Sequence, residues 1–143
     1  MQKLNLSSLS SPNREKLFNI WQAYKSGVQL EGEEKTIAEL MALHEDWYHY
    51  WDSTDFDRKF DPETDQVNPF LHLSFDTIIM NQINNKDPEQ ARFTYNKLTA
   101  RGDTHLEAVH KMSAVFVEEF FPVMKEEKEF NEKRYVRRLK DLK

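Results

Sequence analysis

The stretch from Asn68 to Ile83, NPFLHLSFDTIIMNQI, decides the fold. Asn68 offers a side-chain acceptor at a helix N-cap, and Pro69 brings a fixed φ to the first helical position. Beyond them Phe70, Leu71, Phe75, Ile78, Ile79 and Ile83 recur at the spacings that line one face of a helix, with no alternation of the kind a strand needs. The same signals repeat outward in both directions. Ser11 before Pro12 and Asp87 before Pro88 read as two more helix starts, and Asp87-Pro88-Glu89-Gln90 reads as a capping box with aspartate at its head.

After Pro12 the set Leu17, Ile20, Trp21, Tyr24 and Val28 predicts a first helix, broken between Gly27 and Gly32. Ile37, Leu40, Met41, His44, Trp47, Tyr48 and Trp51 predict one helix from about Glu33 to Trp51. A short helix follows Pro88 and ends at Gly102. Asp103 then caps a helix carrying Leu106, Val109, Met112, Val115, Phe116, Phe120 and Met124, which Pro122 is expected to kink or end. Asn131 caps the last helix, with Phe130 and Tyr135 placed for a hydrophobic staple. The expectation is an all-α, bundle-like array of five to six helices in a single domain over residues 1–143. Residues 1–11 are read as a flexible N-terminus and residues 52–68 as a long acidic loop. The expected core includes Phe70, Leu71, Ile78, Ile79, Leu98, Val109, Phe116 and Phe120.

Composition narrows the functions available. The chain has 143 residues, 38% hydrophobic, but ten Phe, five Tyr and three Trp supply large burial per residue. Its three glycines are too scattered to write a phosphate-binding loop, and the absence of cysteine removes disulfide, zinc-ribbon and thiol chemistry. A net charge of −5 disfavours a general nucleic-acid binder. The basic residues from Lys133 to Lys143 read as complements to a helix C-terminus. No run of 18 apolar residues occurs, so the expectation is a cytoplasmic, unexported protein with no membrane partner.

Chemistry rests on five histidines: His44, His49, His72, His105 and His110. Three spacings put an acid and an imidazole on one helical face: Asp46-x-x-His49, His72-x-x-x-Asp76 and Glu107-x-x-His110. Bundle carboxylate metal sites use such elements on facing helices. With 25 acids in 143 positions, however, five histidines would meet an acid three residues upstream about once by chance, against the two seen. There is no HExxH, and the acidic stretch after Trp51 fails as an EF-hand because Phe60 and Gln66 stand where the loop needs glycine and glutamate. No nucleophile and base stand in a recognisable context.

The run Val67-Asn68-Pro69-Phe70-Leu71-His72-Leu73-Ser74, with Gln82, Leu98-x-x-Arg101-Gly102, Glu107-Ala108-x-His110 and Tyr135-x-x-Arg138-Leu139, resembles the domain of unknown function 1841 family. The resemblance runs from about residue 14 to the end and implies an all-α bacterial protein without an assigned reaction. It also implies two HxxxH faces, in which this chain has Asp76 one turn after His72 and Leu106 one turn before His110. Asp76 is still an oxygen donor; Leu106 is none, which leaves Glu107 to substitute.

Two functional readings stand. The first is a non-enzymatic interaction or accessory protein that meets a protein partner, or a second copy of itself, through Trp47, Tyr50 and Trp51, since aromatics cover every face of that helix. The second is a metal-binding protein. It would use His72, Asp76, Glu107 and His110, helped by Asp46, His44 or His49, to hold a divalent transition metal: zinc, manganese or iron. Without an ion, the same residues are expected to form a histidine–carboxylate network.

Overall fold

The first described helix is set by one side chain: Asn13 Oδ1 accepts from the Lys16 amide at 3.0 Å. The computed structural model describes residues 13–143 other than 62 and 66, so the expected Ser11-Pro12 start and the N-terminal segment 1–11 lie outside the described residues. These residues hold seven α-helices, one more than the expected upper count, and a short 3-10 turn: α1 Arg14–Lys25, α2 Gly32–Leu43, the 3-10 turn Glu45–Trp47, α3 Tyr48–Trp51, α4 Pro69–Asn85, α5 Glu89–Ala100, α6 His105–Glu126 and α7 Glu132–Asp141. None of the described residues forms a strand, and no helix among them is long and apolar enough to cross a membrane. The chain divides into two compact units, one reaching to Thr77 and one running from Ile78 to Lys143, so the division falls inside α4.

In the N-terminal unit the expected helix from Glu33 to Trp51 is interrupted. At His44 the backbone leaves helical geometry, with φ −100° and ψ 70°, and the chain resumes as the 3-10 turn and α3. Polar anchors on both sides hold this break. Trp51 Nε1 donates to Met41 O at 3.0 Å, and the Tyr48 hydroxyl donates to Ala42 O at 2.5 Å. Asp52 accepts at Oδ1 from Trp21 Nε1 at 3.1 Å, Gln22 Nε2 at 3.2 Å and the Lys25 ammonium, which tie α1 to the end of α3. The Lys25 bond, against a smaller opposing cost of burial, holds the Asp52 carboxyl below its ordinary range.

The acidic segment after Trp51 is pinned by rings. Phe56 meets Phe18 at 5.7 Å, and Phe60 lies 5.8 Å from Tyr50 and 5.9 Å from Phe70. The Arg14 guanidinium lies over Phe70 at 4.6 Å, and that of Arg58 over Phe60 at 4.5 Å. Of the three aromatics expected at a surface around α3, one is buried. Trp51 is only 1% exposed and belongs to the core, while Trp47 and Tyr50 are half-buried against neighbouring rings.

In the C-terminal unit α5 begins one residue later than expected, with Pro88 at the cap in extended geometry and no side-chain capping bond. It ends as the sequence implies. Gly102 adopts φ 108°, and the Gly102 and Asp103 amides return to Thr99 O and Leu98 O at 3.1 Å each, a Schellman ending. The cap of α6 is Thr104, not Asp103, whose carboxylate instead takes the Lys111 ammonium at 2.8 Å. Pro122 is carried within α6, which continues to Glu126. Asn131 caps α7, and Phe130 meets Tyr135 at 5.5 Å as the staple predicts. Of the expected core residues, Phe70, Ile79, Leu98, Val109, Phe116 and Phe120 are buried; Leu71 and Ile78 are half-buried.

Polar contacts fix α7. Tyr135, whose hydroxyl is pushed to high pKa by burial, donates to Gln82 Oε1 at 2.5 Å, and Thr94 Oγ1 donates to Leu139 O at 3.1 Å. Buried Glu119 accepts from Arg134 Nε at 2.7 Å and Arg138 Nη1 at 3.1 Å. Burial pushes the Glu119 carboxyl up, but the two guanidinium groups outweigh it and hold it below the usual carboxylate range. Glu119→Ala is expected to cost about 1.5–3 kcal/mol at neutral pH, the range for hydrogen bonds to charged groups. Because the folded-state pKa is depressed, this stabilisation is present above the ordinary carboxylate range and is lost as pH falls through the folded value. Urea unfolding should therefore show the two proteins converging in acid; a pH-independent difference would refute the ion pair as its source.

Candidate metal centre

The break at His44 turns an ordinary helical histidine into an anchored one. Its Nδ1 lies 2.7 Å from Leu40 O. A carbonyl only accepts, so Nδ1 carries the proton and donates, which leaves Nε2 as the atom available to a neighbour. Metal-ligating histidines are oriented by this kind of outer bond. His44 Nε2 stands 3.6 Å from Asp76 Oδ2.

α4 supplies the other two groups. Asn68 Oδ1 accepts from the Phe70 and Leu71 amides at 3.1 Å each, and Pro69 is the first helical residue, as the sequence implies. This start sets the register that puts His72 and Asp76 one turn apart on one face, with His72 Nε2 2.9 Å from Asp76 Oδ2. One donor atom from each of His44, His72 and Asp76 lies within 4.8 Å of the others. Donors around a tetrahedral zinc ion with bonds of about 2.0–2.1 Å stand roughly 3.4 Å apart, so small side-chain rotations separate this arrangement from a coordinating one.

The environment is dry on two sides and wet on one. The Asp76 side chain is 0% exposed and that of His44 7%, whereas that of His72 is 28% exposed. Trp47 completes the surroundings: its ring lies parallel to the His44 imidazole, 4.8 Å away and 7° from coplanar, and edge-on to His72 at 5.0 Å. The two imidazoles themselves meet edge to face at 5.1 Å.

Of the residues chosen from sequence, His72 and Asp76 come together, and His44, named there only as a helper, joins them. Glu107 has another task. It is exposed at the third position of α6, where its Oε1 accepts from the Thr104 amide at 3.0 Å while Thr104 Oγ1 accepts from the Glu107 amide at 3.1 Å. Those bonds hold its carboxyl below the usual range. His110 is half-buried on α6 in the C-terminal unit. Asp46 and His49 are exposed, the latter with its ring 4.0 Å from Tyr50. His105 meets the Tyr95 hydroxyl at 2.7 Å through Nδ1.

The family model described as a domain of unknown function, DUF1841, matches residues 10–141. The chain belongs to that family. The match spans His44, His72, Asp76 and His110 alike, and the DUF1841 assignment brings no reaction with it. No curated protein and no solved structure matches the chain.

Proposed function

We propose that this DUF1841 protein binds a divalent transition metal, zinc, manganese or iron, through His44 Nε2, His72 Nε2 and a carboxylate oxygen of Asp76. The observation that carries the reading is a fully buried aspartate facing two imidazole nitrogens, one of them with its tautomer fixed from behind. A buried carboxylate is costly unless a cation or strong donors meet it. Two nitrogens and one oxygen favour a borderline transition metal over calcium, which asks for six to eight oxygens. His72 Nε2 and His44 Nε2 both face the same carboxylate oxygen, Asp76 Oδ2, at 2.9 Å and 3.6 Å.

Elemental analysis of protein purified without an affinity tag or chelator tests the proposal, followed by titration of the metal-stripped protein with Zn²⁺ and Mn²⁺. The expected result is one tightly held ion per chain in the wild type and none in Asp76→Ala. Glu107→Ala is expected to bind as the wild type does. A wild-type protein that takes up no more metal than Asp76→Ala overturns the reading.

A further inference from the structure

We propose that the outer face of α7 docks an acidic helical segment of a partner protein through Lys133, Arg137 and Lys140, with Phe93 of α5 as the apolar contact. At 100° per residue the three cations fall within an arc of about 60°, on the side of α7 away from buried Tyr135 and Leu139. All three are exposed, and among the described residues none of their side chains forms an ion pair. The helix dipole accounts for Lys140 in the last turn. It does not account for Lys133, which stands second in the helix, where the positive end opposes a cation.

The chemistry of the occupant is read from the other side of the same helix. There Arg134 and Arg138, one turn apart, take the carboxylates of Glu119 and Glu118, so α7 already holds α6 by cations at that spacing. Lys133 and Arg137 repeat the spacing outward, and carboxylates one turn apart on a second helix complement them. The apolar element comes from α5, which Thr94 Oγ1 on Leu139 O at 3.1 Å and Lys97 Nζ on Lys140 O at 2.8 Å tie to the end of α7. Phe93, one turn before Lys97, is 64% exposed, more than any other large hydrophobic among the described residues. A ring left in water beside unpaired cations gives a partner both burial and charge to meet. With the whole chain at −5, a long polyphosphate strand is repelled away from this face, whereas a short acidic segment covers the face alone.

Fluorescence anisotropy on the full chain tests this, with a fluorescein-labelled, alanine-based helical peptide carrying glutamates at i, i+4 spacing and one leucine as the probe. The expected result is saturable binding that weakens as salt rises, weakens by about tenfold or more when Lys133→Glu, Arg137→Glu and Lys140→Glu are combined, and weakens severalfold in Phe93→Ala. The combined variant should in turn bind the same peptide with lysines in place of its glutamates, which separates lost charge from lost fold. No saturable binding by the wild type, or binding that the combined variant leaves unchanged, overturns the proposal. Tighter binding of poly-uridylate than of the peptide at these residues overturns it in favour of nucleic acid, and sedimentation showing self-association that the combined variant abolishes overturns it in favour of a second copy.

Discussion

Phe116→Ala is expected to lower the unfolding free energy by about 3–5 kcal/mol, the range for deleting a fully buried phenylalanine. Phe116 is completely buried on α6, and the rings against it include Phe120 at 5.4 Å, Phe130 at 5.6 Å and Tyr135 at 5.5 Å. These come from α6 itself, from the connection after it and from α7. The cavity left by truncation would therefore be walled by three elements whose positions are set elsewhere. Asn131 caps α7 and the Tyr135 hydroxyl is held by Gln82, so neither Phe130 nor Tyr135 can move in to fill the space without giving up those bonds. Poor collapse places the cost toward the upper part of the range. Chemical denaturation monitored by helical dichroism checks it, and an unchanged midpoint would put Phe116 outside the core. Phe116→Leu, which keeps most of the volume, should recover much of the loss.

How far the sequence reaches depends on which interaction decides each feature. Asn68-Pro69, Gly102, Asn131 and the Phe130–Tyr135 staple were legible because each acts within a few residues, and all appear as read. Thr104 was masked by Asp103, an equally good cap one residue earlier; the choice falls to Thr104 because Glu107 stands where it closes the capping box. Other helix ends carried no glycine to mark them. Lys86 and Glu127 both take φ 52°, a left-handed geometry that their side chains do not advertise.

The break at His44 was illegible for a different reason. The apolar period runs unbroken from Ile37 to Trp51, so nothing local contradicts a continuous helix. What ends it is the sum of Trp51 Nε1 on Met41 O, the Tyr48 hydroxyl on Ala42 O and His44 Nδ1 on Leu40 O, three side chains that take carbonyls at the end of α2. The same break explains the candidate site. In a continuous helix His44 would be one more interior histidine, as its periodicity implies; turned at the break, it presents Nε2 to Asp76. The i, i+4 pair of His72 and Asp76 was readable from spacing alone. Its third member required the tertiary structure.

That dependence makes His44 the most informative residue for the last prediction. His44→Ala is expected to weaken Zn²⁺ binding by more than about 100-fold, since loss of an outer-shell partner alone costs roughly 10–100-fold and this change removes both a donor atom and its anchored ring. Folding and binding are separable by measurement. The substitution also strips Leu40 O of its partner, a cost of about 1–3 kcal/mol if no water replaces it, so the metal-free variant should melt below the metal-free wild type. The decisive quantity is the further change on adding zinc. An ion held only by the folded state stabilises it by RT ln(1 + [L]/Kd), about 2.7 kcal/mol at a concentration 100 times Kd. Wild-type protein should show that rise in melting temperature, whereas His44→Ala should show almost none at the same zinc concentration. Trp47→Phe supplies the contrast: it keeps a ring against His44 while donating no ligand atom, so its zinc-induced rise should remain close to the wild-type value. Should His44→Ala gain as much stability from zinc as the wild type, the ion would sit elsewhere, and the imidazole–carboxylate cluster around Asp76 would be a structural network whose histidines serve the fold alone.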